Sequence, residues 1–155
     1  MPVPKSVIVA APHNRPMPRL LWLLCLVNLI IGTGAFVIGG ILAPIAEQLA
    51  ISVPAAGQAM TAYALSTALL APVVLLATGR WPRKRALLLA LALFTLGNLL
   101  CALSSSFATL LAGRVLMGLG AVFTPIAAGI AVAVVEPAKR GKALALTFLG
   151  ISLSY

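Results

Sequence analysis

Apolar residues along this chain fall in long unbroken runs, not in the mixed 3.6-residue pattern of a helix that faces water on one side. No charged residue occurs from Leu20 to Ala46, and Pro44 and Glu47 mark the exit of that first run. The second extends from Gln58 to Thr78 and stops at Gly79 and Arg80. The third covers Ala86 to Leu103 and ends at Ser104, Ser105 and Ser106; the fourth lies within Phe107 to Val135, closed by Glu136 and Pro137. At about 1.5 Å per residue, each run is long enough to cross a hydrocarbon core about 30 Å thick. Membrane spans are therefore predicted at about 20–45, 58–78, 86–103 and 107–135. A fifth run, 143–155, is too short within its thirteen residues to span.

These runs predict an all-α membrane protein with four full spans plus part of a fifth. Residues 1–18 are Pro-rich and polar, with Lys5, His13 and Arg15, and are predicted to form a cytoplasmic tail preceding a transmembrane domain over 19–155. A cleaved secretory signal does not fit the first run, because a signal's apolar core is about 7–15 residues and ends at a small-residue cleavage site.

Composition agrees with the bilayer as solvent: 62% of the 155 residues are hydrophobic and only 8% are charged, where a soluble domain carries about 25%. The net charge of +9 raises nucleic acid as a partner, but the cations sit in short clusters between the spans. They form no stripe for a duplex to follow, so no nucleic-acid partner is expected. Ten of the eleven basic residues precede the first span or fall between spans two and three or four and five. The positive-inside rule places those segments, and the amino terminus, in the cytoplasm of a cell whose inner (plasma) membrane holds the chain. Trp22 and Trp81 sit beside basic residues at that boundary, where indoles prefer to lie. Cys25 and Cys101 are predicted near opposite membrane faces, beyond the roughly 7 Å reach of a disulfide.

Arg114 is the eleventh cation, inside the fourth apolar run. An arginine near mid-bilayer costs about 2.5–3.5 kcal/mol or more, so it is expected to face protein, water or a counter-ion. Gly118, Gly120 and Ala121 follow at helical spacing and leave room for a guanidinium. The alternative is a span beginning at Leu116, with Arg114 snorkelling to the outer interface. Asn28, Gly32, Ala35 and Gly39 share one face of span one. Tyr63 lies on a mildly polar face with Ser66 and Thr67. Asn28 and Tyr63 are candidates for lining a substrate cavity, and Gly32, Gly39, Gly118 and Gly120 for close helix packing; interhelical hydrogen bonding is the alternative for both polar residues. Thr95 and Asn98 are expected to serve packing. No catalytic triad, metal-ligand cluster or phosphate-cradling loop is present in the sequence, so neither enzyme chemistry nor a cofactor is expected.

The chain resembles the major facilitator superfamily, in its arabinose-efflux-permease-like and twelve-span drug:proton antiporter branch, over nearly all of Leu20 to Tyr155. Four features carry the resemblance: the stretch from Ala56-Gly57-Gln58 to Ala71-Pro72; the basic loop Arg80-Trp81-Pro82-Arg83-Lys84-Arg85; Arg114 with Gly118 and Gly120; and Pro137 with Arg140-Gly141-Lys142. The resemblance implies a fold that is part of an N-terminal six-helix half. It implies that Arg80, Arg83 and Lys84 belong to a loop that latches conformations, and that Arg114 serves proton coupling. Leu75, Gly79 and Pro82 depart from the family's loop motif, Gly79 standing where an aspartate is usual. The sequence stops before the position of the fifth-helix Gly-Pro motif typical of antiporters. The implied activity is proton-coupled efflux of sugars or small drugs, with small-molecule substrate and protons as partners of a full-length form. The chain is expected to be a truncated piece, inactive without the missing C-terminal half or a partner chain. The alternative from another class is a small multi-span scaffold or assembly subunit whose Arg114 pairs with a partner's acid. A four-helix exporter acting as a homodimer fits poorly, because Glu47 and Glu136 lie at span ends.

Overall fold

Prolines, serines and glycines punctuate the apolar runs, and the helices begin and end at them. A computed structural model describes residues 18–154; Lys5, His13 and Arg15 of the expected tail lie outside the described residues, as does Tyr155. Helix α1 (Arg19–Gly40) starts directly after Pro18. It stops where the Gly39-Gly40 pair meets Pro44, which has no N–H to offer the carbonyl of Gly40. The single run expected to Ile45 is therefore α1 followed by a separate short helix, α2 (Leu42–Gln48). Ala50 then turns the chain with φ of 52°. Helix α3 (Val53–Leu65) begins five residues before Gln58, because Ser52 Oγ accepts the Ala55 amide at 3.3 Å and Pro54 stands in its first turn.

One π-helical turn, Ser66–Leu70, joins α3 to α4 (Ala71–Ala77), the Ala71 amide bonding to the carbonyl of Ser66. Pro72 cannot donate to a carbonyl in that turn, which favours the wider loop. Helix α5 (Arg83–Ala102) starts at Pro82, and the serine cap of α6 (Phe107–Gly120) is Ser106, whose Oγ accepts the Thr109 amide at 3.2 Å. The fourth run breaks at Ala121–Val122 before α7 (Phe123–Ala133). Pro125 is the cause: its ring crowds the carbonyl of Ala121, which instead accepts from the Thr124 amide. A 3-10 turn, Pro137–Lys139, leads into α8 (Arg140–Ser152). Among the described residues, four helical segments, 19–40, 53–77, 83–102 and 107–133, are long and apolar enough to cross a membrane.

Glycines set how closely the helices approach. A methyl group on Gly97 would come within 2.7 Å of the Gly113 carbonyl, and one on Gly120 within 2.6 Å of the Phe94 amide, so α5 and α6 meet backbone to backbone. Gly150 of α8 presses in the same way on the Cys25 carbonyl of α1, and Gly32 faces Ser154. The main apolar core joins Leu21, Leu24, Phe94, Met117, Phe123 and Ile126. A smaller cluster of Ile38, Ala59 and Leu110 fills the end of the bundle away from the basic residues. Outside, Leu76 is 82% exposed, Leu103 71% and Leu69 65%, amid many other bare aliphatic side chains. So large an apolar exterior is incompatible with water and matches lipid. The protein is an all-α, multi-pass membrane protein.

Candidate functional site

Arg114 lies in α6, two turns from its start, and is only 2% exposed. Its Nη1 donates to the carbonyls of Gly34 (3.2 Å) and Ala35 (3.3 Å) of α1 and approaches Met117 Sδ at 3.8 Å. The guanidinium carbon stands 6.0 Å from the centre of the Tyr63 ring, within cation–π range. The Nε has no hydrogen-bond partner. Such burial excludes the snorkelling alternative, since a snorkelling head group would reach water. Arg114 is thus a cation enclosed between α1, α3 and α6, and both carboxylates of the chain, Glu47 and Glu136, are exposed.

Small residues make that enclosure possible. Gly118, one turn beyond Arg114, rests on Ser66 and on the Tyr63 carbonyl, and a methyl group there would come within 2.6 Å of Ser66 Cβ. The π turn serves this contact: Ser66 Oγ donates to the Val115 carbonyl at 2.7 Å, and Thr67 Oγ1 donates to the carbonyls of Tyr63 (3.0 Å) and Gly118 (3.4 Å). The hydroxyls of Ser66 and Thr67 therefore tie α3 to α6 beside the arginine. Tyr63 is half-buried and, with Phe36, Met60, Thr61 and Thr67, lines a largely apolar groove of about 620 Å³ between α1 and α3.

Asn28 has a different place from the one its face suggests. It is fully enclosed, donating Nδ2 to the Thr147 carbonyl at 2.9 Å and accepting from Thr124 Oγ1 at 3.0 Å. Both ends of the amide are engaged, so among the described residues Asn28 is a clasp joining α1, α7 and α8, in keeping with the interhelical hydrogen-bonding alternative. Thr124 and Thr147, its partners, carry no signal along the sequence, because a lone threonine in an apolar helix reads as filler. Gly32 and Gly120 lie at tight contacts, whereas Gly39 is exposed and faces only the Met60 side chain at ordinary distance.

Arg80, Arg83 and Lys84 are all exposed at the basic end. Arg83 Nη1 donates to the Gly129 carbonyl of α7 at 2.7 Å. This cation near a helix C-terminus sits where the backbone dipole favours positive charge. It links the first residue of α5 to the fourth span without a carboxylate. Arg83, Trp81 and Gly79 line a small cleft of about 200 Å³ with Ile126 and Gly129. Among the described residues, no group of three or more His, Cys, Asp or Glu side chains could hold a metal ion.

Residues 24–155 match the family model of the Major Facilitator Superfamily. The chain belongs to the major facilitator superfamily. Relatives of this superfamily member include the MFS-type transporter YbcL of Bacillus subtilis, 34% identical over 135 residues, which are 86% of this chain and 35% of that protein. The inner membrane transport protein YdhP of Escherichia coli is 36% identical over 125 residues, 80% of this chain and 32% of that protein. A chloramphenicol efflux pump of Mycobacterium tuberculosis is 38% identical over 120 residues, 74% and 28% of the two chains. The chain spans about a third of the length of the curated relatives it matches. No solved structure matches it. The family is one of membrane transporters, and the lipid bilayer is the medium these helices occupy.

Proposed function

We propose that these helices serve proton-coupled efflux of small organic molecules, sugars or small drugs, across the inner membrane. The observation that carries this reading is the enclosed, carboxylate-free Arg114, held on the α1 carbonyls beside the Tyr63 ring. A cation retained there at such cost is a functional feature by default, and we assign it to proton coupling. Tyr63 and the apolar groove around it are assigned to substrate, and Arg80, Arg83 and Lys84 to a loop that latches conformations. The names of two relatives, one an inner membrane transport protein and one a chloramphenicol efflux pump, support the direction and the membrane. The amino terminus is assigned to the cytoplasm from the basic loops. The scaffold alternative is weaker, because Arg114 turns into its own bundle and away from any partner.

Alternating access needs two bundles around a midplane site, so the 155-residue polypeptide alone in liposomes is expected to be silent. The test uses everted membrane vesicles expressing the whole reading frame that contains these residues. Chloramphenicol or arabinose added to vesicles holding a pH gradient is expected to dissipate it, and Arg114→Ala is expected to abolish the response while leaving the amount of protein in the membrane unchanged. An undiminished response in Arg114→Ala vesicles would remove the coupling role.

A further inference from the structure

We infer that the cavity beside Arg114 binds a small monovalent anion, a halide or a short carboxylate, as the guanidinium's counter-ion. The cavity, about 330 Å³, lies between α1, α2, α5 and α6 at the end of the bundle away from the basic residues, on the other side of α1 from the Tyr63 groove. Its apolar walls include Ile38, Leu49 and Leu110, and its polar groups are Arg114, Gln48, Asn98, Cys101 and Ser104. At about 30 Å³ per water it has room for an anion with part of its hydration shell.

The charge balance calls for such an occupant. Arg114 is 2% exposed, its Nε is buried without a partner, and its Nη1 contacts on α1 are long for charged hydrogen bonds at 3.2 and 3.3 Å. Glu47 and Glu136 are both exposed on the surface. Asn98 Nδ2 and Ser104 Oγ already donate to their own backbone, at Phe94 and Cys101. Arg114, the second Nδ2 hydrogen of Asn98 and the exposed amide of Gln48 are left as donors, and the fixed charge of the guanidinium selects an anion over a cation. The α2 segment at the mouth places entry at the water-facing end, and a low-dielectric wall strengthens the attraction. This inference stands apart from transport and does not depend on it.

Purified protein in detergent at constant ionic strength tests the site, comparing sodium chloride and sodium acetate with the bulky lactobionate salt. Chloride or acetate is expected to raise the unfolding midpoint saturably over lactobionate, and Arg114→Gln to remove the rise. Cys101, in the cavity wall, gives a second measurement that needs no arginine variant. With Cys25→Ser, an anionic methanethiosulfonate is expected to label Cys101 about ten-fold faster than a cationic one of similar size, and chloride to slow it. Equal rates with the two reagents, or the same midpoint in chloride, acetate and lactobionate, would overturn the site. A rise that persists in Arg114→Gln would place the anion elsewhere and overturn it too.

Discussion

Asn28 and Asn98 are both asparagines in apolar helices, yet their environments differ in kind. Asn28 bridges three helices with its two bonds, whereas Asn98 Nδ2 returns to the Phe94 carbonyl of its own helix. Membrane hydrogen bonds are worth about 0.6 kcal/mol on average and up to about 1.7. Asn28→Leu is therefore expected to lower unfolding stability in detergent by about 1–3 kcal/mol, and Asn98→Leu by much less. Equal losses would show that the clasp adds nothing beyond a buried amide. Ala50 is the one non-glycine residue with positive φ among the described residues. Ala50→Gly is expected to stabilise the protein by about 0.5–1 kcal/mol in the same measurement, since glycine meets no Cβ penalty there. Legibility at this scale was uneven. Arg114 stood out because a lone cation in an apolar run is costly wherever it points. Asn28 was placed on the correct inner face, but a helical face does not say whether a cavity or a neighbouring helix lies opposite.

Helix ends and breaks follow chemistry that is local, so most of them could be read along the chain. Charge and serine stopped the spans, whereas the start of α5 after Pro82, three residues before the expected Ala86, and the break before Pro125 were not read, although both rest on a local proline. The π turn was invisible, because it rests on Ser66 meeting Val115 and Gly118, 49 and more residues away. The division of the first run into α1 and α2 was likewise missed, since hydropathy continues across Gly40 while the backbone does not. Close contacts between elements make a sharp expectation. Gly97→Val is expected to push α5 from α6 and cost about 1–3 kcal/mol or more by overpacking. Gly57→Ala, where no atom lies within 4 Å of the added methyl, is expected to gain up to about 1 kcal/mol from helix propensity. Denaturation of the two variants side by side in detergent checks both signs.

Fold class was legible for the molecule as a whole because a bilayer leaves a chain few ways to satisfy its backbone. The packing order of the helices was not, since which apolar faces meet depends on glycines and hydroxyls far apart in sequence. The orientation proposed from the basic loops is one that thiol labelling can check. A cysteine placed at Pro82 is expected to react with an impermeant reagent only when the cytoplasmic face is opened, and one at Ser105 from outside intact cells. The opposite pattern would invert the bundle. The Asn28 clasp, finally, reaches across 119 residues of sequence. A ribosome adding about 5–20 residues per second needs roughly 6–24 s to synthesise that interval. Helix α1 is therefore expected to enter the membrane with the Asn28 Nδ2 donor unanswered until α8 has been made, an interval in which an insertase or membrane chaperone would have an unpaired amide to shield.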